Sequence, residues 1–474
     1  MEKKTTNCCS KNGPGYKSPK DAFLNGPREK VLFVTCPNIN KGGHDIIACV
    51  DVDPESETFS KVINYVKLPY ENDEVHHSGW NTCSSCYDDS SLTRSHLIIP
   101  CLNSSRIYVI NTREPKNLKI DVIVEPEKIL NFNVSFPHTS HCLADGNIMI
   151  STLGDKDGNE RGNFILLDGK TFQPKKTWIK EGTMEPQFNY DFWYQPRCNV
   201  MISSEWGTPN AIKNGFKIED VKNGKYGNKV YIFNWKEKKI QQTIELPGPE
   251  CQIPLEVRFY HEPSKAHAFV GTALGSSIFH LYDDGSGKYK SRLAASIPSV
   301  KVSGWAMDDM PALITDILIS MDDKYLYASC WLHGIIKQYD ISDPFNITLN
   351  SEINISGSLH KETNVKIVDK DYPQPNPTFI NGTKIEGGPQ MLQLSLDGKR
   401  LYVSTSLYLK WDQTFYPNLA SRGGTILKID INEKDGKMIL DENFLVDFKN
   451  IDGSSYLPHE MRYPGGDCTS DIWL

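Results

Sequence analysis

Histidine is the residue type whose placement in this chain points most directly to chemistry. The chain has 474 residues and twelve histidines, and some of these stand close together, as in His76-His77 and His138-Thr139-Ser140-His141. Neutral imidazole binds copper, zinc and iron, so imidazoles that meet in space form a transition-metal site. A lone histidine in a turn is more often a hydrogen-bonded structural residue. The histidines interpreted in that way are His44, His96, His267, His280 and His360.

A second candidate for chemistry is the pair Cys83 and Cys86, which have the Cys-x-x-Cys spacing. This spacing is typical of a redox dithiol or of half a zinc site. A second such pair is absent, which argues against a zinc site made of cysteines alone, and no βαβ pattern surrounds the pair, which argues against a thioredoxin-like role. The two cysteines are therefore either a functional thiol site or structural residues.

Composition excludes several classes of protein. The 52 basic and 59 acidic residues give a net charge of −7, which does not suit a general nucleic-acid binder. The apolar stretches are shorter than the roughly 18 to 20 residues that span a bilayer, and the first ten residues lack the apolar core of an export signal. We therefore expect a soluble intracellular protein with reduced thiols. Phosphate-binding glycine loops and the Gly-x-Ser-x-Gly elbow are also absent.

The elements that must position these residues are repeated β-strands. Residues 319–327 and 394–402 share one pattern, a strand, an Asp-Asp or Asp-Gly turn and a second strand, and weaker copies recur along the chain. Seven units begin near residues 29, 75, 138, 190, 254, 314 and 389, with long loops at 210–228 and 361–388. This pattern predicts an all-β fold, a single seven-bladed β-propeller over residues 29–474. Several unrelated β-domains are the alternative.

The first 28 residues are predicted to form a short N-terminal arm. Within it, Ser18 is a candidate N-cap, Pro19 takes the first helical position and Gly26 ends a helix at Asn25.

A propeller brings distant residues together because the innermost strand of every blade lines the central axis. Histidines at the starts of several units are therefore candidates for one axial site. A site of histidines without thiolates favours copper or zinc, and a redox reaction would require copper. The candidates at unit starts, in adjoining loops and near the C-terminus are His76, His77, His138, His141, His261, Asp316, His333, His459 and Glu460.

Five runs of sequence closely resemble the selenium-binding protein family. They are residues 76–86 (HHSGWNTCSSC), 138–143 (HTSHCL), 190–197 (YDFWYQPR), 387–391 (GGPQM) and 462–468 (RYPGGDC). The resemblance implies a seven-bladed propeller with methanethiol oxidase activity, in which methanethiol, dioxygen and water give formaldehyde, hydrogen sulfide and hydrogen peroxide. It implicates copper as the cofactor and associates selenium with cysteine. It also implies a cytosolic location, further nuclear and membrane-peripheral locations, and a link to Golgi transport.

We therefore expect a copper-dependent thiol oxidase with its metal on the propeller axis. The expected metal ligands are His77, His138, His141 and His333, with His76, His261 and His459 as reserve ligands or supporting groups. Asp316 and Glu460 are the candidates for catalytic proton transfer. The expected partners are methanethiol and dioxygen; neither nucleic acid nor a transmembrane segment is expected.

The alternative hypothesis is a non-enzymatic scaffold that holds selenium or a protein partner, in which Cys83 and Cys86 bind the selenium. Propellers often serve as scaffolds, so the fold does not decide between the two. The clustered histidines favour the enzyme, because a scaffold does not need imidazoles from several blades.

Overall fold

The computed structural model describes residues 13–474, which form mainly antiparallel β-sheet. Its strands are rich in β-branched and aromatic residues, which suit a pleated, buried surface. Seven of the sheets have four strands each, and we number them sheets 1 to 7 by the chain position of their earliest strand. The all-β propeller architecture predicted from the repeats is confirmed.

The strands of the first four sheets follow one another along the chain, with one exception in sheet 1. Sheet 1 contains Val31–Cys36, His44–Asp51, Val62–Glu71 and the late strand Met461–Arg462. Sheet 2 contains Gly79–Trp80, His96–Pro100, Ile107–Asn111 and Lys119–Val124. Sheet 3 contains Ser135–Cys142, Asn147–Gly154, Glu160–Asp168 and Pro174–Thr177. Sheet 4 contains Phe192–Gln195, Val200–Ser203, Lys229–Asn234 and Lys239–Glu245.

The remaining three four-stranded sheets are built in the same order. Sheet 5 contains Pro254–Phe259, His267–Thr272, Ser277–Asp283 and Tyr289–Ser296. Sheet 6 contains Ile314–Ile319, Tyr325–Cys330, Ile335–Asp340 and Thr348–Asn354. Sheet 7 contains Leu392–Leu394, Arg400–Ser404, Thr425–Ile431 and Met438–Asp447. A small sheet joins Val300–Ser303 to Asp309–Met310 and Lys366–Ile367, and a hairpin pairs Phe379–Ile380 with Thr383–Lys384.

Sheet 1 joins an early strand of the described chain to a late one. Met461 pairs with Val34 and Arg462 pairs with Phe33, so the last strand joins the first one. Elsewhere the first strands of successive sheets contact each other, as Phe192–Gln195 contacts Pro254–Phe259. Residues far apart in sequence therefore lie side by side along these first strands.

Helices are short and lie in the connections or in the arm. The α-helices are Pro19–Asn25, Pro126–Leu130, Pro209–Ile212, Ile218–Lys222, Leu409–Phe415 and Pro417–Arg422, and the 3₁₀ turns are Ser84–Cys86, Pro196–Cys198 and Pro249–Cys251. Within residues 13–474, none of the helices has the length and apolar character needed to cross a membrane.

The arm helix has the ends that its sequence predicts. Ser18 is the N-cap, its hydroxyl accepts a hydrogen bond of 3.1 Å from the Asp21 amide, and Gly26 follows Asn25 at the C-terminal end. Ala22 is fully buried in the core that sheets 6 and 7 share, so the described part of the arm packs against the propeller.

The cores lie between neighbouring sheets. Between sheets 3 and 4, for example, Phe164 meets Phe192 edge to face with ring centroids 5.0 Å apart, and Phe233 packs on the same ring. Each such aromatic pair contributes about 0.5 to 1.5 kcal/mol beyond the buried area. Packing of this kind holds the first strands, which carry the candidate site, in a fixed arrangement.

Candidate metal centre

Three buried histidines bring their ring nitrogens together where sheets 2 and 3 meet. His76, His77 and His138 each offer one nitrogen, and these three atoms lie within 4.8 Å of one another. A fourth histidine, His459, stacks on His76 with ring centroids 3.7 Å apart. We call these four residues the histidine centre. All four are at most 2% exposed.

Local backbone structure explains how these residues meet. His76 and His77 lead into the strand Gly79–Trp80, and His459 leads into Met461–Arg462. His138 lies within Ser135–Cys142, whose register shifts between Pro137 and Ser140, an irregularity of the kind that re-aims side chains near active sites. A Cβ at Gly79 would lie 2.3 Å from the Ser140 carbonyl oxygen, so only glycine lets sheet 2 approach sheet 3 this closely.

Neighbouring groups orient three rings of the histidine centre through contacts with Nδ1. Nδ1 of His77 lies 3.1 Å from Oε1 of Glu460, and Nδ1 of His138 lies 3.0 Å from the Thr139 hydroxyl. Nδ1 of His459 lies 2.9 Å from the Ser406 carbonyl oxygen. Contacts of this kind at one ring nitrogen orient metal-binding histidines and leave the other nitrogen free for the metal.

The opposite nitrogens are buried without a partner. Among the described residues, Nε2 of His77, His138 and His459 and both nitrogens of His76 have no hydrogen-bond partner. A buried polar atom left unpaired costs about 1 to 3 kcal/mol, so a group of them requires an explanation. A transition-metal ion provides one, because neutral imidazole nitrogens are its ordinary ligands in proteins.

Burial keeps these imidazoles neutral. It lowers the pKa of His77 and of His459 to about 3, and it lowers those of His76 and His138 well below the ordinary value. Neighbouring histidines add to the effect for His76, His138 and His459. Metal binding at this centre would therefore displace few protons.

Aromatic side chains close the histidine centre from the side. The Tyr190 ring lies against His138 with centroids 4.1 Å apart, and Tyr408 meets His76 edge to face at 6.3 Å. The Tyr408 hydroxyl donates to the Asn103 side-chain oxygen over 2.7 Å. These rings hold solvent away from the nitrogens.

The four metal ligands predicted from sequence are not the set that the structure brings together. Of that set, only His77 and His138 are in the histidine centre, and His76 and His459, expected as reserves, join them. His141 lies three residues along the strand from His138, with its ring edge-on to Phe192 and Trp193 at 5.1 and 5.0 Å. Burial lowers its pKa to about 4.

His333 and His261 lie elsewhere. His333 is in the turn between the second and third strands of sheet 6, where Nε2 lies 3.0 Å from the Met310 carbonyl oxygen. His261 follows the first strand of sheet 5, and its Nε2 lies 3.0 Å from the Ile319 carbonyl oxygen. Both imidazoles therefore have backbone partners, and neither belongs to the group of converging nitrogens.

The two predicted proton-transfer residues occupy different surroundings. Glu460 touches the histidine centre through His77, and Nη2 of Arg462 lies 2.6 Å from its Oε1. Asp316 lies in a buried charged cluster around Arg258, whose guanidinium nitrogens are 2.6 Å from Asp191, 2.8 Å from Glu256 and 3.6 Å from Asp316.

This charged cluster was not fully predicted from sequence. Glu256 and Arg258 are missing from the candidates, although both alternate with apolar residues in the strand Pro254–Phe259, which is buried throughout. That pattern of charges in a buried strand is the signal that would have found them. Burial raises the pKa of Asp316 to about 7 and that of Glu256 well above its ordinary value, so the cluster can hold protons near neutral pH.

The predicted thiol residues form a cluster with a third cysteine. The hydroxyl oxygen of Ser85 lies 3.3 Å from Sγ of Cys83, 3.8 Å from Sγ of Cys86 and 3.6 Å from Sγ of Cys142. All three thiols are buried and free. Cys142 ends the strand that carries His138. We call Cys83, Cys86 and Cys142 the thiol cluster.

Comparison with known proteins agrees with the resemblance seen in the sequence. The model of the 56 kDa selenium-binding protein family matches residues 10–474. Methanethiol oxidase of Xenopus tropicalis is 51% identical over 98% of this chain and 99% of that protein, and selenium-binding protein 2 of Mus musculus is 48% identical over the same shares.

A solved structure supports the same relationship. The hypothetical selenium-binding protein from Sulfolobus tokodaii is 36% identical, covers 97% of this chain and 98% of its own, and superposes with a TM-score of 0.85. A periplasmic gluconolactonase of Pseudomonas aeruginosa, 9% identical with a TM-score of 0.55, shares the fold alone. The chain belongs to the 56 kDa selenium-binding protein family.

Proposed function

We propose that this protein is a methanethiol oxidase, which converts methanethiol, dioxygen and water to formaldehyde, hydrogen sulfide and hydrogen peroxide. The observation that carries the proposal is the histidine centre, where ring nitrogens of His76, His77 and His138 converge and each of these histidines has a buried nitrogen without a hydrogen-bond partner. Relatives about 50% identical over nearly their full length bear the name methanethiol oxidase, which supports this reaction. An oxidase of a small thiol suits a centre closed by aromatic rings.

We propose copper as the metal, held by His76, His77 and His138 with His459 beside them. Nitrogen donors alone suit copper or zinc, and the proposed reaction is a redox reaction, which zinc does not support. Copper, when bound, would supply the electron transfer between thiol and dioxygen that protein side chains do not carry.

The chain's own residues prepare the site. Glu460, Thr139 and the Ser406 carbonyl hold three imidazoles by Nδ1, which fixes the direction of each Nε2. Tyr190 and Tyr408 exclude water, so the electrostatic interactions within the site are strong.

Proton handling is assigned to two carboxyls. Glu460 contacts the histidine centre directly and accepts hydrogen bonds from Ser78 and Arg462. Asp316, whose pKa lies near neutrality, stores protons in the cluster around Arg258. A raised pKa of this kind suits general acid and base catalysis.

Substitution of the ligands tests the proposed function. Purified wild type, His77→Ala and His138→Ala are compared for copper content and for sulfide and peroxide formed from methanethiol. We expect both variants to lose copper and activity together. His267→Ala is the matched control, because His267 contacts His280 in sheet 5 over 2.9 Å. We expect this variant to retain both copper and activity. Full activity in rigorously metal-free wild type would overturn the proposal.

Selenium association is a second candidate function. It is favoured by a 48% identical relative named selenium-binding protein 2 and by the buried thiols of Cys83 and Cys86. Labelling with selenium-75 in wild type and in the double variant Cys83→Ser/Cys86→Ser tests it: label that persists in the double variant would show that these thiols are not the site. The proposed locations, the cytosol with nuclear and membrane-peripheral fractions, stay predictions.

A further inference from the structure

The thiol cluster is separate from the histidine centre and has no role in the reaction proposed above. Its three cysteines come from two elements, the turn that contains Ser84–Cys86 and the end of the strand Ser135–Cys142. In the described part of the chain, every cysteine is free. A group of three free thiols is therefore available for chemistry at the end of a strand that also carries His138.

Contacts within the cluster distinguish the three thiols. Cys142 lies beside Cys86, because the Cys86 thiol donates to the carbonyl oxygen of Leu143, the next residue after Cys142, over 3.6 Å, and the Ser85 hydroxyl oxygen lies 3.6 Å from Sγ of Cys142. Cys83 and Cys86 face the same Ser85 hydroxyl from 3.3 and 3.8 Å. The Ser85 hydroxyl therefore lies among all three thiols, and Cys142 is near the Cys83–Cys86 pair.

Cys86 is the thiol with the best access to solvent. It is 5% exposed, whereas Cys83 and Cys142 are 0% and 2% exposed. Cys86 ends the 3₁₀ turn, and the chain passes from it through the partly exposed Tyr87 to the exposed Asp88. A small uncharged oxidant approaching from this side meets Cys86 first.

Hydrogen bonds also favour the thiolate form of Cys86. The Cys142 thiol, followed by Thr82 and Ser85, lowers the pKa of Cys86 to about 6 against the opposing effect of burial. The pKa of Cys142 is instead raised well above its ordinary value, chiefly by burial. A thiolate beside a protonated thiol is the arrangement in which the first sulfur attacks an oxidant and the second resolves the product.

We propose that Cys86 and Cys142 form a peroxide-reactive thiol pair, in which Cys86 is the attacking sulfur and Cys142 the resolving one. The Cys86 thiolate attacks one oxygen of hydrogen peroxide, the O–O bond breaks, and sulfenic acid and hydroxide form. The Cys142 thiol then attacks the Cys86 sulfur, an S–S bond forms, and the hydroxyl leaves as water. Overall, two thiols lose two electrons and two protons, and one peroxide becomes two waters.

Only the source of the oxidant rests on the proposed function, which makes hydrogen peroxide as a product. The disulfide would tie the turn at Cys86 to the strand that holds His138. It would therefore form in the same molecule that generates the oxidant, next to an element of its own histidine centre.

Peptide mapping locates the bond. Reduced full-length protein is treated with hydrogen peroxide, alkylated and cleaved with trypsin, which places Cys83 and Cys86 in peptide 68–94 and Cys142 in peptide 129–156. We expect a cross-link between these two peptides in wild type and in Cys83→Ser, and its loss in Cys86→Ser and Cys142→Ser. Recovery of the reduced peptides after dithiothreitol confirms a disulfide.

Cys198 provides the matched control, because it is the most exposed cysteine of the described residues. Burial raises its pKa, and its thiol donates to the Pro263 carbonyl oxygen over 3.7 Å. Oxidation of Cys198 before Cys86 would show that exposure alone decides reactivity and would overturn the proposal. A bond confined to peptide 68–94 would also overturn it. Wild type itself decides both outcomes, so an unfolded variant does not obscure the result.

A second arm separates this proposal from the proposed function. Methanethiol is supplied to wild type and to His138→Ala, with and without catalase, and is exhausted before alkylation. If both proposals hold, the cross-link forms in wild type without catalase and is absent in the other samples. If the protein is not an oxidase, methanethiol gives no cross-link but added peroxide still does. If peroxide accumulates from methanethiol without a cross-link, the thiol proposal is refuted and the oxidase proposal stands.

Discussion

The contact between Glu460 and His77 provides the sharpest test of the histidine centre. Oε1 of Glu460 lies 3.1 Å from Nδ1 of His77 and 2.6 Å from Nη2 of Arg462, and Oε2 accepts from Ser78. Glu460→Gln keeps the shape of the side chain and removes its charge. The neutral amide holds the His77 ring less firmly and makes its Nε2 a weaker donor to a metal.

Two magnitudes follow from these contacts. Loss of a carboxylate that holds a metal-binding histidine weakens metal binding about 10 to 100-fold, which corresponds to about 1.4 to 2.8 kcal/mol. Folding also suffers, because within residues 13–474 Arg462 keeps only Asp467, 3.9 Å away, as a charged partner. Breaking a buried ion pair by removing one charge costs about 3 to 5 kcal/mol.

The assay measures copper and zinc affinity by competition with a chelator of known strength, beside urea unfolding of the metal-free protein. Glu29→Gln is the matched control, since Glu29 is a buried carboxylate paired with Arg400 at 2.5 Å and far from the histidines in sequence. We expect both variants to lose stability and only Glu460→Gln to lose metal affinity. Equal affinities in wild type and Glu460→Gln, or an equal loss in both variants, would refute the reasoning.

Three further predictions address residues outside the histidine centre. His333→Ala removes the contact with the Met310 carbonyl, so urea unfolding should show a loss of about 1 to 3 kcal/mol while metal content stays unchanged; loss of metal would contradict the placement of His333. Burial raises the pKa of Asp412 to about 7, so at mildly acidic pH the carboxyl is protonated in the folded protein and ionised in the unfolded chain. Wild type therefore loses stability as the pH rises through about 7. The stability of Asp412→Asn relative to wild type should therefore increase by about 2 to 3 kcal/mol between about pH 5 and about pH 8 in urea titrations, and a constant difference would contradict this. Gly334 has φ +76°, and a Cβ there would lie 1.4 Å from the Ser356 carbonyl oxygen. Gly334→Ala should therefore lower the free energy of unfolding by about 3 kcal/mol or more. An unchanged melting temperature would contradict this and show that the backbone adjusts.

The fold could be predicted from sequence because its signals are local. A turn between two runs of β-forming residues predicts each hairpin, as in residues 394–402. Repetition of that unit indicates sheets that need neighbours to cover their faces. The arm helix is equally local, since Ser18, Pro19 and Gly26 mark its ends within nine residues. None of these inferences requires knowledge of which residues meet in space.

The choice of histidines shows the limit of such reasoning. His138 and His141 belong to the same motif, and the sequence offers no reason to prefer one as a ligand. In the structure their strand has an irregular register, and only His138 contributes a nitrogen to the histidine centre. His333 and His459 are both single histidines, and only the closure of sheet 1 by Met461–Arg462 brings His459 onto His76. Cys142 likewise enters the thiol cluster by the meeting of two sheets.

Sequence by itself thus determined the all-β architecture, the arm helix and the residue types capable of metal and thiol chemistry. Only the tertiary structure decided which imidazoles share a site, which third cysteine joins Cys83 and Cys86, and which carboxyls surround Arg258. The physical reason is that strand and turn formation depends on neighbours in the chain. A ligand set depends instead on the register and approach of strands from different sheets, and shifts of one residue there redirect a side chain.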